Sequence, residues 1–328
     1  MFGYLRFILA YLVLLSHIQI TFYSLNIGVF AVVMFYILAG YVVSNLYLNI
    51  LSNSKNKTLD FYKDRLKRIY PLYLYTLIVT VLFLLFTNYG NPKFTIQNIF
   101  TNLTIIPLNY YMYLDNTILQ NPSWWLIPPS WSLGTELQAY ILLSFVLVFR
   151  KAKYILAFLT IFIYIIANFA ILNPDYFGYR FIIGVFFIFL VGSSIQKIKS
   201  NSCEDNFDKY FPLLVWIISI VLYVIFYINS SFSQTYTKET LFGLFIGIPT
   251  VYILSKNKVK LKFDKFFGKL SYGVFLSHFL AIWILDYYHI TKLDNYYIIY
   301  LSLLSIFIAL IGIFLFENNN LDYKKLKK

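Results

Sequence analysis

The stretch LRFILAYLVLLSHIQI, residues 5–20, is apolar along nearly its whole length, but it carries an arginine at position 6 and a histidine at position 17. A helix rises about 1.5 Å per residue, so Arg6 and His17 would lie about 16 Å apart along one helix. That distance is about half the thickness of the hydrocarbon core of a bilayer. Ionisable residues inside a membrane span are costly and usually have a function. The stretch therefore predicts a membrane-spanning helix with two separate polar positions.

The composition is that of an integral membrane protein. Of the 328 residues, 60% are apolar and only 12% are charged, whereas soluble domains are about 25% charged. A net charge of +13 would suggest a nucleic-acid partner in a soluble protein, but here the basic residues alternate with apolar runs. We therefore expect a lipid bilayer and no nucleic acid as the partner. The single cysteine, Cys203, excludes an intramolecular disulfide framework.

Ten apolar runs approach the roughly 20 residues that are needed to cross a bilayer. The predicted fold is all-α, a polytopic membrane bundle of about ten transmembrane helices in a single domain, residues 1–328. An even number of spans places both termini on the same side. The sequence does not indicate an oligomeric state. The runs cover approximately residues 4–20, 27–49, 70–87, 132–149, 153–172, 179–197, 211–229, 239–255, 270–288 and 296–316.

The distribution of lysine and arginine predicts on which side of the membrane the two termini lie. Cytoplasmic loops carry an excess of these residues. With the N-terminus inside, every lysine and arginine falls on the cytoplasmic side except Lys93, Arg180, Lys238 and Lys292. We therefore expect a multi-pass protein of the cell membrane with both termini in the cytoplasm.

Two segments do not fit simple spans. Residues 88–130 end in a group of tryptophans and prolines, and irregular backbone at membrane depth requires protein around it or a wet cavity beside it. We expect this segment to lie over the outer mouth of the bundle as a surface or re-entrant cap. Residues 58–70 mix apolar and basic side chains and predict an amphipathic helix at the inner interface.

A histidine and a glutamate are predicted at the same depth near the outer surface. In the predicted topology, His17 and Glu136 each lie about one turn from the outer end of their helices. A carboxylate beside an imidazole orients the ring and raises its basicity, which suits a general base. The alternative is that each group only satisfies a polar partner within the bundle.

Three arginines, Arg6, Arg65 and Arg68, are predicted at the inner face. Guanidinium groups bind phosphate oxygens with two parallel hydrogen bonds, so a phosphorylated ligand from the cytosol would fit. The alternative is topological, because inner loops are basic in any case. The spacing of histidines and cysteines indicates no metal site. Further residues expected to line a cavity are Trp131, Ser132, Arg180 and His278.

Five motifs occur in order along nearly the whole chain. They are Arg6 and His17 with ten residues between them, GVFAVVMFYILAGY at 28–41, RLKRIYP at 65–71, WSLGTE at 131–136 and SYGVFLSH at 271–278. Together they resemble the acyltransferase 3 family of integral membrane O-acyltransferases, in the form without an appended hydrolase-like domain. The resemblance implies a ten-helix bundle that moves an acyl group from cytosolic acyl-CoA to a hydroxyl of an extracytoplasmic carbohydrate, such as a surface polysaccharide.

By position, the resemblance implies that His17 and Glu136 are catalytic and that the three arginines serve the acyl donor. Acyl-CoA would be a co-substrate, with acetyl-CoA as the default and succinyl-CoA as the alternative that Arg180 leaves open, and no cofactor would be bound permanently. His17 would either deprotonate the acceptor hydroxyl or carry the acyl group transiently. The alternative function is a transporter or flippase for a polysaccharide or glycolipid precursor, with Arg6, His17, Glu136 and Asp286 along its path. The inverted repeats of many transporters are not detectable.

Overall fold

The computed structural model describes residues 1–229, 232, 234–257, 259 and 261–316. The described chain forms eleven α-helices and one two-stranded hairpin. The helices are α1 (Phe2–His17), α2 (Ile27–Asn45), α3 (Lys57–Thr87), α4 (Ile96–Thr104), α5 (Ser130–Val148), α6 (Ala152–Asn168), α7 (Ile182–Lys199), α8 (Asn206–Ile228), α9 (Thr237–Lys256), α10 (Asp264–Tyr287) and α11 (Tyr297–Phe316).

Every helix except α4 coincides with one of the ten predicted apolar runs. Within the described residues, seven helical segments are long and apolar enough to cross a membrane, and α1 and α6 are shorter apolar helices. The protein is therefore an all-α, multi-pass membrane bundle. The number of complete spans and the side that the termini face remain predictions. Some of the lysines that predict this orientation lie at residues 317–328, which are outside the described residues.

Helices α2 and α7 pack closely against each other. A Cβ atom at Gly40 would lie 2.0 Å from the carbonyl oxygen of Phe189, and one at Gly192 would lie 1.9 Å from that of Ile37. Small residues at such crossings let two membrane helices pack backbone to backbone. These two glycines therefore fix the distance between α2 and α7.

Helices α1 and α10 lie side by side and run in the same direction. At one end the N-terminal ammonium group of the chain is 2.9 Å from Asp264 Oδ1, and the Gly3 amide donates to the same oxygen at 3.0 Å. At the other end the rings of His17 and His278 are 5.2 Å apart. We call the first of these the terminal end of the bundle.

Helix α11 returns antiparallel to α10. The Ser277 hydroxyl donates to the Ser305 carbonyl at 2.9 Å, and Gly273 packs on Ala309. The described chain therefore finishes, at Phe316, at the terminal end where it began.

The predicted interfacial helix at residues 58–70 is not a separate element. It is the first half of α3, which continues through Pro71 to Thr87. Proline removes one helical hydrogen bond, but a membrane helix tolerates the loss when neighbouring helices surround it. The amphipathic pattern is present, since Leu59 and Leu66 are exposed while Phe61 and Ile69 are buried.

The segment between α3 and α5 covers the end of the bundle opposite the terminal end. It contains α4, a 3-10 turn at Ile106–Tyr110, and a hairpin that pairs Leu119–Gln120 with Ser123–Trp124. Asn102 holds it in place, because its carbonyl accepts from the Tyr73 hydroxyl at 2.6 Å and its side chain accepts from the Leu126 amide at 3.0 Å. The segment folds over the bundle as the predicted cap, and we call this the capped end.

Candidate active site

The three arginines predicted for the donor side meet at one cavity. It has a volume of about 110 Å³ and lies between α1, α2, α3, α5 and α10. We call it the arginine cavity. Its charged and hydroxyl-bearing lining residues are Arg6, Arg65, Arg68, Ser132, Glu136, Tyr140, Ser271 and Tyr272, with Tyr36 on the α2 side.

The arginines differ in how they are paired. Arg65 is buried, and its Nε donates to Asp64 Oδ2 at 2.9 Å. Arg6 is half-buried and Arg68 is exposed. Neither of these two makes a hydrogen bond or an ion pair with a described residue. Their N–H groups are therefore available to an anionic ligand.

Glu136 belongs to the arginine cavity and does not pair with His17. Its carboxylate accepts a hydrogen bond from the hydroxyl of Tyr140, one turn further along α5. The expectation of a pair was wrong because α5 begins at Ser130, which puts Glu136 about 9 Å inside the helix. His17, in contrast, is the last residue of α1. Counting residues from the end of a helix gives a depth, but it does not show on which face of α5 Glu136 lies.

A second cavity, of about 270 Å³, lies beneath the cap and contains His17. We call it the histidine cavity. Its walls come from the end of α1, the start of α2, the start of α5, the middle of α10, the cap and the turns before α7 and α9. Its lining residues that carry polar groups or rings are Ser16, His17, Asn26, Tyr111, Trp124, Trp125, Trp131, Ser132, Tyr179, Arg180, Tyr236 and Phe275.

His17 is exposed to this cavity and is supported from behind by two rings. His278 stacks on it at 5.2 Å and Phe279 meets it edge-on at 4.7 Å. His278 is fully buried and lies behind His17 rather than on the cavity wall where it was expected. Its Nδ1 is 3.1 Å from the Val274 carbonyl, which can only accept a hydrogen bond, so Nδ1 carries the hydrogen of the neutral ring and Nε2 is left as an acceptor. No described group donates to that Nε2.

Arg180 faces the histidine cavity, where it was expected, within a group of aromatic rings. It lies in the short π-helical turn Tyr176–Arg180 before α7, and its Nε donates to Asp175 Oδ1 at 2.7 Å. Its guanidinium is 4.4 Å from the Trp131 ring and 5.4 Å from the Tyr111 ring. Burial raises the pKa of the Tyr111 hydroxyl to about 12, against the opposing charge of Arg180. Tyr111 therefore stays a hydrogen-bond donor at neutral pH.

The two cavities share part of their walls. Val32 of α2, Ser132 of α5 and Phe275 of α10 line both of them. We call these three residues the junction. Trp131 and Ser132, both predicted as cavity residues, are neighbours on α5, with Trp131 in the histidine cavity only. A cationic compartment and an imidazole-bearing compartment thus lie end to end along the bundle.

Two contributors to this geometry were not predicted from the sequence. Tyr140 is one, although its position four residues after Glu136 is the spacing at which helical side chains meet. Phe275 is the other; it lies within the motif SYGVFLSH at 271–278, but the motif does not indicate that this ring faces two cavities. Asp286 lies away from both cavities, where its carboxylate accepts from the Tyr89 hydroxyl at 2.6 Å.

The protein is thus a multi-pass helix bundle with a cationic cavity at one depth and a histidine-containing cavity at another. The chain matches the acyltransferase domain family over residues 2–318. It therefore belongs to the acyltransferase 3 family, as the motifs predict, and it is an acyltransferase. That activity requires an acyl donor and an acceptor.

A relative is found in Aquifex aeolicus (strain VF5), where it is recorded as an uncharacterized protein. It is 43% identical over 212 residues, which cover 63% of this chain and 95% of the relative. No solved structure matches the chain.

Proposed function

We propose that the protein is an O-acyltransferase of the cell membrane. It takes an acyl group, acetyl in the first instance, from cytosolic acyl-CoA and transfers it to a hydroxyl of an extracytoplasmic carbohydrate such as a surface polysaccharide. The observation that carries the proposal is the junction, because its three residues line both a cavity suited to phosphates and a cavity that contains a histidine.

The arginine cavity is the donor side. Arg6 and Arg68 have N–H groups without partners among the described residues, and guanidinium groups suit the phosphate oxygens of CoA. Arg65 is already held by Asp64, so it adds positive charge and a rigid wall. The terminal end then faces the cytosol, in agreement with the predicted orientation.

Glu136 acts on this donor side. Its carboxylate, held by Tyr140, limits the surplus positive charge of the cavity. In this proposal Glu136 is a positioning residue for the donor, and the imidazole of His17 works without a carboxylate partner.

The histidine cavity is the acceptor side. Rings of Tyr111, Trp124 and Trp125 form its roof, and ligand pockets typically combine such apolar surfaces with a few polar groups. His17 takes the proton of the acceptor hydroxyl as its oxygen attacks the thioester carbonyl. The tetrahedral intermediate then breaks its carbon–sulfur bond, and the departing CoA sulfur takes that proton from His17. The products are an ester and free CoA, and His17 is unchanged.

The test is acyl transfer from labelled acetyl-CoA into surface carbohydrate by membranes that contain the wild type or His17→Ala. Loss of a general base lowers the rate by about 100- to 10,000-fold. The matched control is His289→Ala, which removes an exposed histidine outside both cavities. Near-normal esterification by His17→Ala would contradict the mechanism, and so would an equal loss in the control.

A further inference from the structure

The junction is built from three helices that meet between the two cavities. Val32 and Ser132 are almost fully buried, with 5% and 8% of their surfaces exposed. The Ser132 hydroxyl donates to the Pro129 carbonyl at 3.0 Å, within its own helical turn. Two sides of the junction are therefore fixed by packing.

Phe275 forms the third side and is the largest of the three side chains. Its ring meets Phe35 edge-on at 6.4 Å and is 6.3 Å from the ring of His278, which stacks on His17. Phe275 is only half-buried. Phe275 thus lies between Phe35, in the wall of the arginine cavity, and His278, the ring that supports His17.

The donor must pass this point with its reacting end first. Arg6 and His17 are separated by about 16 Å along α1, so a CoA held by its phosphates at Arg6 reaches His17 only through its extended arm. The thioester and the acyl group are at the tip of that arm. The acyl group is therefore the part of the donor that must fit through or beyond the junction.

We infer that the junction of Val32, Ser132 and Phe275 sets the size of the acyl group that the enzyme transfers, and that it selects the shortest chains. The inference rests on the proposed function. A packed apolar pocket discriminates one methylene group by about 10- to 200-fold in kcat/KM. Val32 and Ser132 are fixed by packing. The size of the Phe275 side chain therefore decides how large an acyl group the junction accepts.

The experiment compares acetyl-, propionyl- and butyryl-CoA as donors for the purified protein in lipid nanodiscs. We expect the wild type to lose about 10-fold or more in kcat/KM with each added methylene. Phe275→Ala should reduce the acetyl-to-butyryl ratio by at least about 10-fold. Val32→Ala removes less volume, from α2, and should lower the acetyl-to-butyryl ratio by a smaller factor. This second variant tests the inference even if Phe275→Ala does not fold.

The matched control is Phe267→Ala, which removes a half-buried ring of α10 that packs on Tyr4 and Phe7 and lines neither cavity. It should leave the acetyl-to-butyryl ratio of the wild type unchanged. An active wild type whose ratio is unaltered by both Phe275→Ala and Val32→Ala would overturn the inference and leave the proposed function standing. A wild type that transfers none of the three acyl groups would overturn the proposed function and the inference with it.

Discussion

Two groups of charged residues lie inside the bundle, and they differ in how completely they are paired. We call the first the lysine cluster; it consists of Lys153, Lys197, Asp205 and Asp208, where α6, α7 and α8 meet. Lys153 Nζ is 2.8 Å from Asp205 and 2.9 Å from Asp208, and Lys197 Nζ is 3.1 Å from Asp208. Two lysines face two aspartates, so the charges balance.

The arginine cavity, in contrast, has more positive than negative side chains. Three arginines face only two carboxylates, Asp64 and Glu136, and they surround a space of about 110 Å³. Two of the three arginines, Arg6 and Arg68, have no hydrogen-bond or ion-pair partner among the described residues, so the space beside them suits a ligand that supplies the missing negative charge. The comparison shows that buried charge alone does not indicate function, whereas charge left without a partner beside a cavity does.

The largest expected effect is on stability, in the lysine cluster. Asp208→Ala leaves two buried lysines without their common partner, and breaking a buried ion pair costs about 3–5 kcal/mol. The free energy of unfolding in mixed micelles measures this loss. Asp205→Ala is the comparison, because Asp205 is partly exposed and caps α8, which limits the expected loss to about 2 kcal/mol. A larger loss from Asp205→Ala than from Asp208→Ala would contradict the assignment of the cluster as a structural clamp.

The next effect is on activity, in the arginine cavity. Arg6→Gln should lower kcat/KM for acyl-CoA by about 10- to 100-fold, which corresponds to about 1.5–3 kcal/mol for hydrogen bonds to a charged group. The free energy of unfolding should be unchanged or higher, because no described residue pairs with Arg6. Arg150→Gln, at an exposed arginine, is the control and should leave kcat/KM unchanged. A loss of stability in Arg6→Gln as large as that of Asp208→Ala would remove the distinction between the two groups.

A smaller effect is expected from the hydroxyl that holds Glu136. Tyr140→Phe removes its hydrogen bond, worth about 0.5–1.5 kcal/mol, and frees the carboxylate to pair with the arginines. KM for acyl-CoA should rise up to about 10-fold. The control is Tyr164→Phe, which removes another buried hydroxyl that contacts Thr240 far from the cavity. Equal values of KM in the two variants would show that Glu136 does not need Tyr140.

The smallest effect is the pH dependence of the lysine cluster. Burial alone would raise the pKa of Asp205, but hydrogen bonds from Lys153 and Tyr154 lower it from 3.8 to about 2. A carboxyl whose folded pKa is depressed stabilises the fold above its unfolded pKa, and that contribution is lost as the pH falls. Asp205 should therefore contribute fully at pH 5 to 7 and lose its contribution between about pH 4 and pH 2. The Tm of Asp205→Asn should depend less on pH over that window than the Tm of the wild type. The same dependence on pH in both proteins would contradict the pairing of Asp205 with Lys153 and Tyr154.

The sequence predicts the helices well, because each long apolar run has few ways to satisfy its backbone in a membrane. The error at α3 has a physical cause. Pro71 and the basic residues before it suggest a helix boundary, but packing against α10 and α11 carries the helix through the proline.

The site could be predicted only in part. Arg6 is recognisable because charged residues inside membrane spans are rare, and Arg65 and Arg68 are recognisable from the motif at 65–71. Pairing His17 with Glu136 required the rotation of α5, which counting residues along a helix does not provide. Phe275 acquires its importance from the meeting of α2, α5 and α10, and no pattern within α10 reports that meeting.

Equilibrium binding of CoA to purified His17→Ala and Arg6→Gln tests the central claim, that donor binding and proton transfer occur in two separate cavities. His17→Ala should bind CoA with the Kd of the wild type although it transfers no acyl group. Arg6→Gln should bind CoA about 10- to 100-fold more weakly. Equal weakening of CoA binding in the two variants would contradict the account, because it would place His17 and Arg6 in one site.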